Sequence, residues 1–414
     1  MSLDPEEQDE CSLEFTLFGD PLEDIEPERV EYRKKQASKK DIEKLIKFLG
    51  GFEKWDELNE DCRQEVVKYL EYAERSRLGS CSKNDYETVK ATPMDVHSVA
   101  IYDNEKRHRS FSQDPFDNVV VEVQFHHDYN SGKRFQLIFS QLGDDTQVRW
   151  IPSKRPENRN VIWKSCNYYE EAVKFAEKWM KKCNFELKHI KIEMSKYPFA
   201  SSTIKCLPKC ESVRIGADDV GMFRWWLQKV PEQLREIEFS GLDSERQGFT
   251  LPSEFLNAPQ IMLTPNLSFW CRSAFTDEQF LNLKAKSISF DCVNITDEGI
   301  NRFIKNWVNR SDAFDFKQAL LWSPIDRNFS ELTRGLEVRP WDDAFESEAP
   351  GFCWDFDQVC GRGRCVQISN RIDPYESLTL DVCDERVSIY GTGHRYTFNG
   401  RTYTEYTVPK TNFL

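Results

Sequence analysis

The feature that most narrows the possible folds is a recurrence in the second half of the chain. Short β-prone runs stand at Leu187–Ile192 (LKHIKI), Ser212–Ile215 (SVRI), Leu234–Phe239 (LREIEF) and Lys286–Phe290 (KSISF). Their central aliphatic residues Ile190, Val213 and Ile237 are spaced by 23 and 24 residues, and Ile288 follows after 51. The longer interval has room for one more unit, for which Leu267–Trp270 is the candidate strand. Helix-like stretches fill the gaps, as at Met222–Lys229 and Asn301–Val308. A strand-plus-helix unit of this length cannot bury its apolar face alone, so such units stack on their neighbours.

A local self-match sharpens the period. Cys271–Phe280 reads CRSAFTDEQF and Cys292–Ile300 reads CVNITDEGI, with Thr276-Asp277-Glu278 and Thr296-Asp297-Glu298 lying 20 residues apart. Thr caps a helix N-terminus and acids suit its first turn, so both copies predict a helix directly after a strand. The pattern resembles the cysteine-containing class of leucine-rich repeat, irregular and with Ile, Val or Phe at many Leu positions. No glycine-rich loop follows a strand, as a nucleotide-binding doubly wound sheet requires. The expected fold class is therefore an α/β repeat.

The rest of the 414 residues divides by composition. The net charge of −14 is concentrated in residues 1–30, where eleven acids face Arg29 alone. That stretch reads as a solvated tail, and the basic run Arg33, Lys34, Lys35, Lys39, Lys40, Lys44 and Lys47 as a charged linker, together residues 1–50. Residues 51–95 form a small helical domain. Residues 96–184 form a β-rich connector, with strands at Val119–Phe125, Arg134–Phe139 and Gln147–Ile151, closed by an amphipathic helix Tyr168–Cys183 whose buried face is Ala172, Phe175, Ala176 and Trp179. The repeat array spans 185–339. Beyond Glu346 the chain reads as Gly- and β-rich, so 340–414 is expected to be an antiparallel cap, with Asn399-Gly400 as a two-residue hairpin turn.

In the helical domain Leu58, Cys62, Val66 and Leu70 recur every four residues, Val67 widens the stripe, and Asn59 precedes Glu60 and Asp61 as an N-cap. Leu78, Cys81, Ser82 and Tyr86 follow. This segment resembles an F-box, which has paired apolar residues and a Leu on its first helix, then a Leu, a Cys-Ser and an aromatic. The departure is Asn59, where that family usually has Pro. The order of parts is similar to the large nematode family of F-box proteins with an F-box-associated (FTH-like) region, over roughly Trp55 to Val308. The resemblance implies that Leu58, Val66, Val67, Leu70, Leu78, Cys81 and Tyr86 dock on a Skp-type adaptor of a cullin ubiquitin ligase, and that the repeats bind a protein client.

Candidate chemistry is sparse. Cys360 and Cys365 bracket Gly-Arg-Gly-Arg, with Cys353, Cys383 and His394 near in sequence, but a structural zinc site wants a second close pair. Cys206 and Cys210 (CLPKC) stand at helical spacing without a His partner, and His126-His127 on a strand point to opposite faces. There is no G-x-S-x-G elbow among the sequence's motifs. Phe223, Trp225 and Trp226, and later Trp341, Phe345, Phe352, Trp354 and Phe356, read as core before they read as recognition surface. Arg362 and Arg364, between glycines, read as a surface turn.

The expectation is a non-catalytic substrate-recognition subunit of a Skp–cullin–F-box ligase, with no cofactor, metal, nucleic acid or membrane partner. The alternative is an interaction scaffold whose F-box-like helices recruit no ligase. The 13 cysteines, an odd number, with no basic and apolar leader and no long apolar run, suggest a reducing cytoplasmic or nuclear setting.

Overall fold

The computed structural model describes residues 55–408 except 71, 93–95, 104–117, 126–133, 153–158, 164–165, 183–186, 243–248, 311–314, 324 and 361–362. The acidic tail, the basic linker, the His126-His127 pair and Arg362 lie outside the described residues. The chain forms two compact units, Met1–Asp95 with Lys182–Phe185, and Val96–Lys181 with Glu186–Leu414.

The first unit is helical. A 3-10 turn at Trp55–Glu57 leads into α1 (Glu60–Lys68), α2 (Tyr72–Gly79) and α3 (Lys83–Ala91).

The second unit is mixed α/β, built on one large sheet. Strands β1 (Ser98–Asp103), β2 (Asn118–Gln124), β3 (Arg134–Leu142), β4 (Asp145–Pro152) and β5 (Arg159–Trp163) make an antiparallel meander. On its other edge β1 pairs in parallel with β6 (Leu187–Glu193). From there β7 (Cys210–Gly216), β8 (Glu236–Ser240), β10 (Asn266–Ser273), β11 (Ser287–Cys292) and β12 (Gln318–Trp322) add in chain order, all parallel, and the short β9 (Thr250–Leu251) pairs with the far end of β10. The sheet then turns antiparallel through β16 (Arg386–Phe398), β15 (Ser377–Cys383), β14 (Arg364–Ser369) and β13 (Arg339–Pro340). Strand β17 (Arg401–Tyr406) forms a hairpin with the outer half of β16. Asn399 and Gly400 supply the positive φ angles, 49° and 74°, that its two-residue turn demands.

Register explains why the second unit holds together. Val99, Ile190, Val213, Ile237, Leu267, Ile288, Ala319 and Ile389 stand in one row across β1, β6, β7, β8, β10, β11, β12 and β16. Two residues further on, Ile101, Ile192, Ile215, Phe239, Phe269, Phe290, Leu321 and Val387 make a second row. All sixteen side chains are buried. Side chains alternate between faces along a strand, so both rows face one side of the sheet. Each of these except Ala319 contributes about 1.5–3 kcal/mol through burial. Where the rows are aromatic the rings stack, Phe239 on Phe269 at 5.2 Å and Phe269 on Phe290 at 5.9 Å.

That face is covered by the helices. Phe175 and Trp179 of α4 (Tyr168–Lys182) pack on Phe135 of β3. Helices α5 (Val220–Leu227), α6 (Ser253–Leu256), α7 (Pro259–Met262), α8 (Asp277–Asn282) and α9 (Asp297–Val308) lie in the connections between parallel strands. Thr276 and Thr296 are the N-caps of α8 and α9, as the repeated Thr-Asp-Glu predicts.

The repeated Thr-Asp-Glu also links successive helix starts within the second unit. The Asp277 carboxylate accepts the backbone N–H of Thr296 at 2.8 Å and its hydroxyl at 2.6 Å. Asp297, one repeat later, accepts the backbone N–H of Asn328 at 2.8 Å, and Asn328 caps α10 (Phe329–Leu332). The acid that opens one helix thus fastens the start of the next, and the burial pattern of 275–280 recurs at 295–300. Gly299 leaves room for this bond, because a Cβ there would fall on the Asp277 carboxylate.

Three expectations need correction. The C-terminal region is not only strands: α11 (Asp343–Glu348) and α12 (Pro350–Cys360) precede the antiparallel sheet. Phe352, Cys353, Phe356 and Cys360 recur at helical spacing and face inward. With Trp341 and Phe345 they pack on Leu320, Tyr390 and Cys365. Those three point away from the aliphatic rows, so α11 and α12 cover the opposite face of the sheet at its C-terminal end. Second, Cys206 is on no helix; it lies in an exposed bend, and Cys210 begins β7. Third, Trp354, read with its aromatic neighbours as core, is 67% exposed.

Candidate adaptor-docking site

The helical unit is assembled by polar bonds as much as by apolar contact. Asn59 caps α1, its side-chain oxygen accepting the N–H of Cys62 at 2.8 Å. Ser82 caps α3 by accepting the N–H of Asp85 at 3.1 Å. The Trp55 indole donates to the Asp85 carboxylate at 2.6 Å, and the Thr88 hydroxyl donates to Glu60 at 3.1 Å, so α3 is tied to the start of α1. Arg75 on α2 is buried, with its guanidinium donating to the carbonyls of Leu70, Thr92 and Lys68 at 3.1–3.3 Å. These are carbonyls at or just past the C-terminal ends of α1 and α3, where the helix supplies no donor. Arg75, Asp85 and Trp55 were missed in the sequence because their partners are distant in the chain or are backbone atoms.

The predicted docking residues divide in their placement. Val67 is fully buried, the core residue of α1. Leu58, Val66, Leu70, Leu78 and Tyr86 are half-buried. Cys81 is exposed, its thiol held up from its ordinary pKa by burial and by Asp85. Cys62 is exposed as well, and Tyr69, which the apolar spacing did not single out, is 86% exposed. Within α1, Cys62 and Val66 lie on one side, about 140° and about 100° from Val67, while Leu58 precedes the helix and Tyr69 and Leu70 follow it. The outcome is a strip of apolar side chains, none of them fully buried.

A second surface is the polar face of the large sheet. The Glu193 carboxylate, itself buried, takes Lys191 at 3.1 Å and Arg214 at 2.7 Å, and Arg214 reaches Glu238 at 3.0 Å. Lys191 sits over the Tyr102 ring at 5.7 Å. Burial raises the carboxyl pKa of Glu122 and Glu238, and burial with Glu122 pushes the Tyr102 phenol up to about 12. Trp270 stands on the same face of β10, 36% exposed.

The cysteines of the C-terminal region gather near Asp381. Cys365 Sγ lies 3.2 Å and Cys383 Sγ 3.7 Å from its carboxylate oxygens, and Arg386 is 3.4 Å away. Among the described residues no group of three or more His, Cys, Asp and Glu side chains is placed to hold a metal ion. Arg364 stacks 3.6 Å over the Phe329 ring. Of the aromatic run in α5, Phe223 and Trp226 are buried and Trp225 is half-buried. No helix among the described residues is long and apolar enough to cross a membrane.

Comparison with known proteins agrees with this layout. Residues 258–313, from α7 through α9 with both Thr-Asp-Glu caps, match the family described as F-box associated. An uncharacterised F-box protein of Caenorhabditis elegans is 46% identical over 391 residues, which is 94% of this chain and 100% of that protein. No solved structure matches. These matches name no catalytic family. The chain belongs to the nematode-type F-box proteins with an F-box-associated region.

Proposed function

We propose that this chain is the substrate-recognition subunit of a Skp–cullin–F-box type ubiquitin ligase, with Trp55–Ala91 as its F-box. The observation that carries the reading is the apolar strip of α1. Its side chains are left half-covered or open, while Val67 alone supplies the helix's buried core contact. An apolar helix strip in this state is suited to a hydrophobic partner groove. Membership of a family named for adaptor recruitment supports the same assignment. Ubiquitin transfer then belongs to the partners.

The second unit serves as the client-binding part. Its parallel strands, added in chain order with one helical connection after another, support an irregular leucine-rich-repeat-like array. The antiparallel strands and α11–α12 close its end, which a stacked array needs because its last unit exposes core.

Co-expression with a Skp adaptor tests the assignment. The wild-type chain should co-purify with the adaptor, and the Leu58→Glu, Leu70→Glu variant should not, with unchanged circular dichroism. A wild-type chain that leaves the adaptor behind sinks the ligase reading and leaves the scaffold alternative.

A further inference from the structure

Helix α12 presents a face that the fold does not use. Its buried residues Phe352, Cys353, Phe356 and Cys360 cluster on one side. At 100° per residue Trp354 lies almost diametrically opposite their centre. It is 67% exposed. A tryptophan so placed leaves most of its ring in water, and exposed Trp is a residue of binding hot spots.

The charge carried by α11 and α12 themselves has one sign. From Trp341 to Cys360 there are six acids, Asp342, Asp343, Glu346, Glu348, Asp355 and Asp357, and no Lys or Arg. Asp355 and Asp357, which flank Trp354, are exposed and have no ion-pair partner among the described residues. Arg339, the nearest preceding base, is engaged with Glu348 at 2.6 Å. A Trp ring is the best cation–π acceptor among side chains, and carboxylates beside it add a second attraction for the same cation.

We propose that the Trp354 face of α12 binds a Lys/Arg-rich segment of a client protein, one basic side chain stacking on the indole and its charge meeting Asp355 and Asp357. The charge complementarity selects this occupant over an acidic or neutral one. The proposal deepens the client-recruiting reading and rests on it for its role in the cell. Peptide binding, however, is measured on the chain alone.

The test is selection from a random dodecapeptide phage library on the full chain, with the Trp354→Ala chain as counter-selection. The account expects selected peptides enriched in Lys and Arg. Their affinity should fall at least about tenfold for Trp354→Ala, and severalfold for Asp355→Asn with Asp357→Asn, and it should weaken with added salt. Selected peptides without basic enrichment, equal binding to both chains, or no selection at all would overturn it. Trp354 is solvent-facing, so the variants should keep the wild-type melting curve. Adaptor co-purification should be the same for Trp354→Ala as for wild type. Its loss in every chain would overturn the ligase reading while the peptide result stands or falls separately.

Discussion

The fastening of the start of α9 to that of α8 by Asp277 makes a prediction with an unusual sign. Asp277→Ala removes two charge-assisted hydrogen bonds, at 2.8 Å and 2.6 Å, from a half-buried site. Its cost should be about 2 kcal/mol, given that bonds to charged groups contribute ~1.5–3 kcal/mol and water can partly replace these. Gly299→Ala in the wild-type background drives a methyl into the same carboxylate. The carboxylate must swing away, so about the same 2 kcal/mol is lost, offset by up to ~1 kcal/mol of better helix propensity. In the Asp277→Ala background the close obstruction is gone, because the three atoms nearest the new methyl all belong to the deleted carboxylate. There Gly299→Ala should stabilise by ~0.5–1 kcal/mol. Urea unfolding of the four chains, followed by circular dichroism and extrapolated linearly, measures the cycle. Coupling of ~2–3 kcal/mol in this direction supports the reasoning. Additivity within ~0.5 kcal/mol refutes it.

Other consequences are open to simpler assays. Arg75→Met leaves three carbonyls in the helical unit without their donor and should cost about 3 kcal/mol, seen as faster trypsin cleavage within 55–92. Iodoacetamide should label the exposed Cys62 and Cys206 first among the described thiols and Cys81 more slowly, whereas Cys271 and Cys292, pushed up to about 12 and about 11 by burial, should react only on unfolding. Hydrogen bonds from Lys188, Lys286, Arg339 and Arg395 hold the carboxyls of Glu211, Asp315, Glu348 and Asp373 below the usual range. A depressed folded-state pKa adds stability above the unfolded value near ~4 and withdraws it as pH falls through the folded value. Acid unfolding below about pH 4 should therefore depend less on pH in 0.5 M NaCl, since these pairs are mostly exposed and salt screens them.

Which parts were legible follows from where each signal is written. The parallel strands could be read because Ile190, Val213, Ile237 and Ile288 belong to one buried row, and a row needs the same residue class in every strand. Thr276 and Thr296 could be read because a cap is a local matter of residue type. The role of Asp277 and Asp297 could not, since each acts on a backbone amide 19 and 31 residues away. Helix α12 was missed because Pro350, Gly351 and aromatic residues carry β and turn propensity, which packing of Phe352 and Phe356 on the sheet overrides. In the docking segment the four-residue spacing marked an amphipathic helix, and the structure has α1 there. Val67, the widening residue, is the one that faces inward, and Cys62 faces out.

The central claim is that the α1 strip is where the ligase adaptor docks. Hydrogen–deuterium exchange of the chain with and without a Skp adaptor tests it most directly. The account predicts slowed exchange across 58–70 and 78–86, with the strands β6 to β12 unchanged. Unchanged exchange at 58–70, or protection confined to the large sheet, would contradict it.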